Sequence, residues 1–314
     1  MATTPNRLEQ AVGGPVAPTA TVRPIERERG RSRLTASRVL FGTALVLVSA
    51  LFLVPFLWVV SASLKTRQDV FNSEWIPDPV QWQNYVQIWQ VAPVFNWFVN
   101  SVVVGILAAS AVTLSSALVA FSFAYFRFPF RNVLFGLVLA SMMLPGAVTM
   151  VPTFLIWDNV GKVIPALGVN TLTPLWASNL FASAFYIFLL RQFYLGLPRE
   201  VFEAARVDGA GYFAMWRRIA IPLVWPALIV VFIFELKASW TEFIKPLIYI
   251  RDVNLFTLPR GLKLLLDQFS IHGGEGEVQL LMAGAVIVTL PIIIIFFLGQ
   301  RYFVEGIATT GRKG

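Results

Sequence analysis

Long uncharged stretches alternate along the chain with short polar ones. No charged residue lies between Arg38 and Lys65, and the apolar run Val39 to Ala62 exceeds the roughly 20 residues that a spanning helix needs. From Asp78 to Arg127 the chain is again uncharged. Its first part, with Gln81, Gln83, Asn84, Gln87 and Gln90 ahead of Pro93, is too polar to span, which places the second span at Asn100 to Phe126. Val133 to Trp157 is a third, containing Pro145 and Pro152. Membrane helices tolerate such kinks because neighbouring groups re-satisfy the freed carbonyls. Pro174 to Phe193, Leu223 to Tyr249 and Val278 to Gln300 complete six predicted spans.

Composition agrees. Hydrophobic residues make up 57% of the 314 and charged residues 13%, against roughly 25% charged in soluble domains. Such a chain cannot cover itself with polar surface, so the expected class is all-α integral membrane protein. The net charge of +8 is placed unevenly. Arg23, Arg27, Arg29, Arg31, Arg33 and Arg38 crowd ahead of the first span. With the N-terminus inside, the inner segments also hold Arg127, Arg131, Arg199, Arg206, Arg217, Arg218, Arg301, Arg312 and Lys313. The outer loops then hold only Lys65, Arg67, Lys162, Arg251, Arg260 and Lys263. The bias predicts both termini in the cytoplasm. Nucleic acid is not an expected partner, because a basic face interleaved with aromatics on a soluble fold is lacking.

The chain has no cysteine, and His272, its only histidine, stands in a Gly-rich polar stretch. Thiolate chemistry is excluded and no metal site is expected. Residues 1–37 carry Pro5, Pro15, Pro18 and Pro24 among Gly, Thr and Arg, a composition that reads as a disordered basic tail. Residues 38–304 form the predicted membrane domain, and 305–314 a second cytoplasmic tail.

Two spans carry more than hydrophobicity. The second places Ser101, Gly105, Ala109, Thr113 and Ala117 at every fourth position. Small residues in a stripe let another helix approach closely, either within the bundle or from a second subunit. The fifth contains Glu235, Lys237, Glu242 and Lys245, and a charge at mid-bilayer costs on the order of 3 kcal/mol. At about 100° per residue, Glu235, Ser239 and Glu242 share one face and Lys237, Thr241 and Lys245 another. A helix polar on two sides belongs in the bundle interior or beside a watery path; the plainer alternative is that Glu242 and Lys245 pair near its outer end.

Between the fourth and fifth spans, on the predicted inner side, residues 197–222 read as helix, turn, helix. Pro198 suits a helix start, Glu200 and Glu203 favour its positive end, and Gly209 after Asp208 is a stop signal. Glu203-Ala204-Ala205, followed by Arg206, Asp208 and Gly209 and then by Ile219 to Pro222, resembles the EAA loop of binding-protein-dependent ATP-binding-cassette importer permeases. Ile221 stands where Leu is usual. Phe98-Val-Asn-Ser101, Phe188 to Phe193, Trp240-Thr-Glu-Phe243 and Gln300 to Phe303 are similar to the maltose-type carbohydrate branch, which more often has Asn in place of Thr241.

The resemblance implies a six-helix type I permease bundle that passes a sugar. Its expected partners are a second homologous permease, two cytoplasmic ATPase subunits, an extracytoplasmic solute-binding (lipo)protein and the lipid membrane. It implies that the helix around Glu203 seats in a groove of the ATPase. The chain carries no Gly-x-x-x-x-Gly-Lys-Ser/Thr loop, so it is read as a transport subunit rather than an enzyme, with ATP and Mg on the partner and no cofactor of its own. The candidate translocation path is Asn100, Glu235, Ser239, Trp240 and Glu242. A candidate contact with the binding protein is the outer loop with Asp267, His272, Gly273, Gly274 and Glu275. The rival reading is a secondary transporter driven by an ion gradient through Glu235 or Glu242.

Because the native chain lacks cysteine, single-cysteine variants test the topology cleanly. Cysteine at Ser73 or Gly274 should react with an impermeant maleimide from outside, and cysteine at Ala210 should not. The reverse pattern would overturn the orientation.

Overall fold

A computed structural model describes residues 36–270 and 276–310. Among them all regular structure is helical. Two compact units divide the chain after Phe52. The first, as far as it is described, is the apolar beginning of α1 (Ala36–Ser63), with side chains almost all exposed. The second unit holds everything from Leu53 onward.

In the second unit the end of α1 meets α2 (Asn84–Val91) through polar ties. Asn84 donates to the carbonyls of Ser63 and Lys65, at 2.9 Å each, and the Ser63 and Tyr85 hydroxyls lie 2.7 Å apart. α3 (Val94–Tyr125) is the central rod. Then follow α4 (Arg131–Ser141), α5 (Gly146–Val163), α6 (Thr173–Trp176), a 3-10 turn at 177–181 and α7 (Ala184–Leu195). α8 (Arg199–Val207), α9 (Tyr212–Met215), a π turn at 216–220 and α10 (Ile221–Leu223) make the connecting loop. α11 (Trp225–Thr241), α12 (Ile244–Tyr249), α13 (Leu258–Ser270) and α14 (Val278–Thr310) complete the chain.

Three helical stretches are long and apolar enough to cross a membrane: 37–63, 94–125 and 278–300. Three further crossings exist if each bent pair counts as one: α4 with α5 at 98°, α6 and its 3-10 turn with α7 at 41°, and α9–α10 with α11 at 81°. The bends have identifiable causes. Pro145 starts α5 without an N–H to continue the ladder from α4. Pro222 and Pro226 flank Val224, where α10 gives way to α11.

The fifth span corrects the expectation of one helix from Leu223 to Tyr249. α11 stops at Thr241, and Glu242 has an extended backbone at φ −65°, ψ 123°. Its carboxylate accepts the N–H groups of Ile244 and Lys245, at 2.9 and 3.3 Å, and so starts α12 instead. Glu242 therefore does not continue the face of Glu235 and Ser239. Nor does it pair with Lys245: among the described residues the ion pairs are Lys162–Asp158 and Lys263–Asp267.

The small-residue stripe is buried within this chain. Ser101, Ala109, Thr113 and Ala117 are all buried, and Leu236 of α11 lies over Gly105. α3 packs most extensively on α11 and α7, so the stripe serves the bundle itself. Its two ends carry separate cores. At one end Phe121, Tyr194, Phe202, Met215 and Val231 cluster; at the other Trp97, Leu175, Trp240, Leu258 and Leu265 do.

The second core is pinned by Trp97, which is fully buried and donates its indole N–H to the Val253 carbonyl at 2.7 Å. Gly261 of α13 lies flat against that ring, and a Cβ there would sit 2.1 Å from Trp97 Cε3. Gly261→Ala should therefore cost roughly 1–3 kcal/mol by overpacking, read as a lowered thermal midpoint of the purified protein. Gly136→Ala, where a Cβ meets nothing within 4 Å, should not lower it. Equal midpoints for the two variants would refute the close approach.

Candidate coupling loop and membrane path

α8 is built from both ends inward. Pro198 precedes its first turn, Glu200 lies in that turn and Arg206 in the last, each charge matching the nearer end of the helix dipole. The far end closes as a Schellman motif: Ala210 N–H reaches the Ala205 carbonyl at 2.9 Å and Gly209 N–H the Arg206 carbonyl at 3.0 Å. That geometry needs a left-handed residue after Asp208, and Gly209 has φ +81°. The chain then enters α9, widens into the π turn and passes through Ile219 and Pro222 toward α11.

This loop is seated, not dangling. Phe202, Met215 and Ala220 are buried with Phe121 and Tyr194 in the core at that end. Phe202 meets Phe121 and Tyr125 at 6.0 and 5.4 Å between ring centroids, and Tyr212 meets Phe126 at 5.0 Å. The two alanines of the motif separate: Ala205 packs on the core, while Ala204 is exposed. Ile219 also packs on the core, and Glu203, Arg206, Asp208, Gly209 and Pro222 are exposed. Beside Ala204 the outward face carries Val201 and Val207, the latter 88% exposed. The apolar outward residues and the Phe202 anchor were missed in the sequence; the spacing of Val201, Ala204 and Val207, three apart, was the signal.

The candidate path residues do not form one cluster. Glu235 and Ser239 come together on α11, their side chains 3.4 Å apart. The same Glu235 oxygen accepts from the Asn179 amide at 2.6 Å, and that amide also donates to the Ala108 carbonyl. Asn179, which sequence reasoning did not single out, thus ties α3, the broken fourth span and α11. Asn100 donates to the carbonyls of Asn254 and Phe256, holding the loop before α13. Trp240 is buried, gives its indole N–H to the Val288 carbonyl at 3.0 Å and meets Phe98 edge-on. Glu242 caps α12, as described.

Of the outer-loop candidates, Asp267 pairs with Lys263 on α13. His272, Gly273, Gly274 and Glu275 lie outside the described residues. α13 was not anticipated, although Leu258, Leu262 and Leu265 recur at helical spacing.

Residues 101–309 match the family described as the binding-protein-dependent transport system inner membrane component. The chain belongs to that family. It is a multi-pass membrane permease, the transport component of an ATP-binding-cassette importer. Curated relatives include the arabinooligosaccharides transport system permease AraQ of Bacillus subtilis, 31% identical over 91% of this chain and 99% of the relative. The sn-glycerol-3-phosphate transport system permease UgpE of Yersinia pestis is 31% identical over 90% and 98%. Among solved structures, a bacterial transporter that imports the acidic polysaccharide alginate superposes with a TM-score of 0.72 over 86% of this chain and 98% of its own, at 19% identity. That likeness shows the fold.

Gly209→Val should unravel the end of α8, because a β-branched residue in the left-handed region is strained by about 1–2 kcal/mol. No side chain crowds Gly209, so Gly209→Asn, which tolerates that region, should be far milder. Limited proteolysis of inserted protein around residues 205–212 checks this; equal resistance of both variants would count against the motif.

Proposed function

We propose that this chain passes a carbohydrate, handed over by an extracytoplasmic binding protein, through a membrane path it shares with a second permease. Two cytoplasmic ATPase subunits, carrying ATP and Mg, drive the cycle by gripping α8. The observation that carries this is the seating of α8. Its inner face is locked to the bundle through Phe202, and its outward face offers Val201, Ala204 and Val207, uncovered among the described residues. A short rigid helix fixed to the span ends transmits a push from a partner. The π turn and the prolines before α11 are the places where such a push would bend the chain.

Carbohydrate as the substrate class rests on the arabinooligosaccharide relative and on the residues shared with the maltose-type branch. The arginine distribution supports cytoplasmic termini and a cytoplasmic α8. Glu235 and Glu242 both serve local structure, and family membership accounts for the loop that an ion-driven carrier would leave unexplained.

Val207→Asp places a charge on the outward face, and Ala204→Trp removes the close approach; neither touches the Phe202 anchor. Each should reduce co-purification of the ATPase roughly tenfold, as loss of about 1.4 kcal/mol does, and lower receptor-stimulated ATP hydrolysis in proteoliposomes. Full association and full stimulation in both variants would place the joint elsewhere.

A further inference from the structure

Behind α8, between it and the neighbouring ends of α3 and α7, lies a cavity of about 470 Å³. That is the size of small-ligand pockets, ~300–1,000 Å³. Arg199 and Arg206 reach it from α8 and Arg127 from the turn after α3, while Tyr125, Phe126 and Tyr212 supply aromatic wall. Among the described residues, Glu203 is the one acid on its lining. No ion pair neutralises any of the three arginines, since the pairs among the described residues are elsewhere. Arg206 instead lies over the Tyr212 ring, 6.0 Å from its centroid.

We infer that this cavity binds a phosphate-bearing anion. Three guanidinium groups against one carboxylate leave a positive surplus in a concave, partly aromatic site, where charge of one sign concentrates counter-ions. Guanidinium forks match phosphate oxygens two at a time, which an ammonium does not do. A phosphate monoester carries close to two negative charges at neutral pH, and the aromatic wall suits the ring or glycerol backbone attached to it. An anion held by Arg127 on one side and by Arg199 and Arg206 on the other ties α8 to the turn after α3. The site lies behind the docking face formed by Val201, Ala204 and Val207. It deepens the coupling-loop reading by adding a ligand at the same joint, and for the side of the membrane it rests on that reading.

Two sources share this chemistry, a soluble sugar phosphate and an acidic phospholipid headgroup, and two arms separate them. The assembled transporter is placed in nanodiscs, which expose both faces and make the measurement independent of orientation. In phosphatidylcholine discs, glucose 6-phosphate is titrated by calorimetry. In discs of mixed lipid, native mass spectrometry counts retained phosphatidylglycerol. The wild type should bind one of the two probes. The variant Arg127→Gln/Arg199→Gln/Arg206→Gln should lose that binding by roughly tenfold or more, one charge-assisted hydrogen bond being of that order. Arg127→Gln alone, which leaves α8 untouched, should show a loss in the same direction, and Arg67→Gln none. Absence of binding by both probes to the wild type, or binding undiminished in the arginine variants, would overturn the inference. ATPase co-purification, read on the same samples, tests the coupling loop separately.

Discussion

Inside a bilayer no water competes for backbone groups or drives apolar surfaces together, so helices associate only where they fit closely. In this chain that fit is made along one face of α3. Ser101, Gly105, Ala109, Thr113 and Ala117 keep the rod thin, Leu236 drops onto Gly105, and α11 and α7 lie against the same helix. A larger residue on that face would push α11 outward. The Asn179 bridge between Ala108 and Glu235 would lengthen with it, and so would the seat of α8, which depends on Phe121 at the far end of the same rod.

Polar groups within the bundle are spent on holding broken segments in place. Proline and extended residues interrupt three of the crossings, and each interruption frees backbone groups that must find partners. Glu242 takes two N–H groups at the start of α12 and Asn100 fills two carbonyls before α13, while Asn179, at the break of the fourth span, ties that span to a carbonyl of the unbroken α3. Glu242 and Asn100, which look like path residues in a linear reading, thus also hold irregular backbone in place.

The loop of residues 197–222 has two unlike faces. Its inner face is held to the end of α3 by the aromatic contacts of Phe202 and Tyr212. Its outer face is uncovered among the described residues, and Val207 there stands 88% exposed. Gly209 ends α8 by turning the chain sharply without demanding packing of its own.

The apolar helical stretches and the helix, turn and helix of residues 197–222 were legible in the linear chain because each is written in neighbouring residues. Uncharged runs of sufficient length and the Glu203 to Gly209 spacing need no knowledge of distant contacts. The positive φ of Gly209 followed the same local logic. The Asn179 partner of Glu235 and the partners of Asn100 and Trp240 were not legible, because each lies dozens to more than a hundred residues away. Helical periodicity carried Glu242 onto the face of Glu235, but the carboxylate instead satisfied the freed N–H groups of the next helix. The cavity behind α8 belongs to the same class. Arg127 and Arg206 are ordinary inner-loop arginines in the sequence, and only the folding of α8 back onto the end of α3 places them around one space.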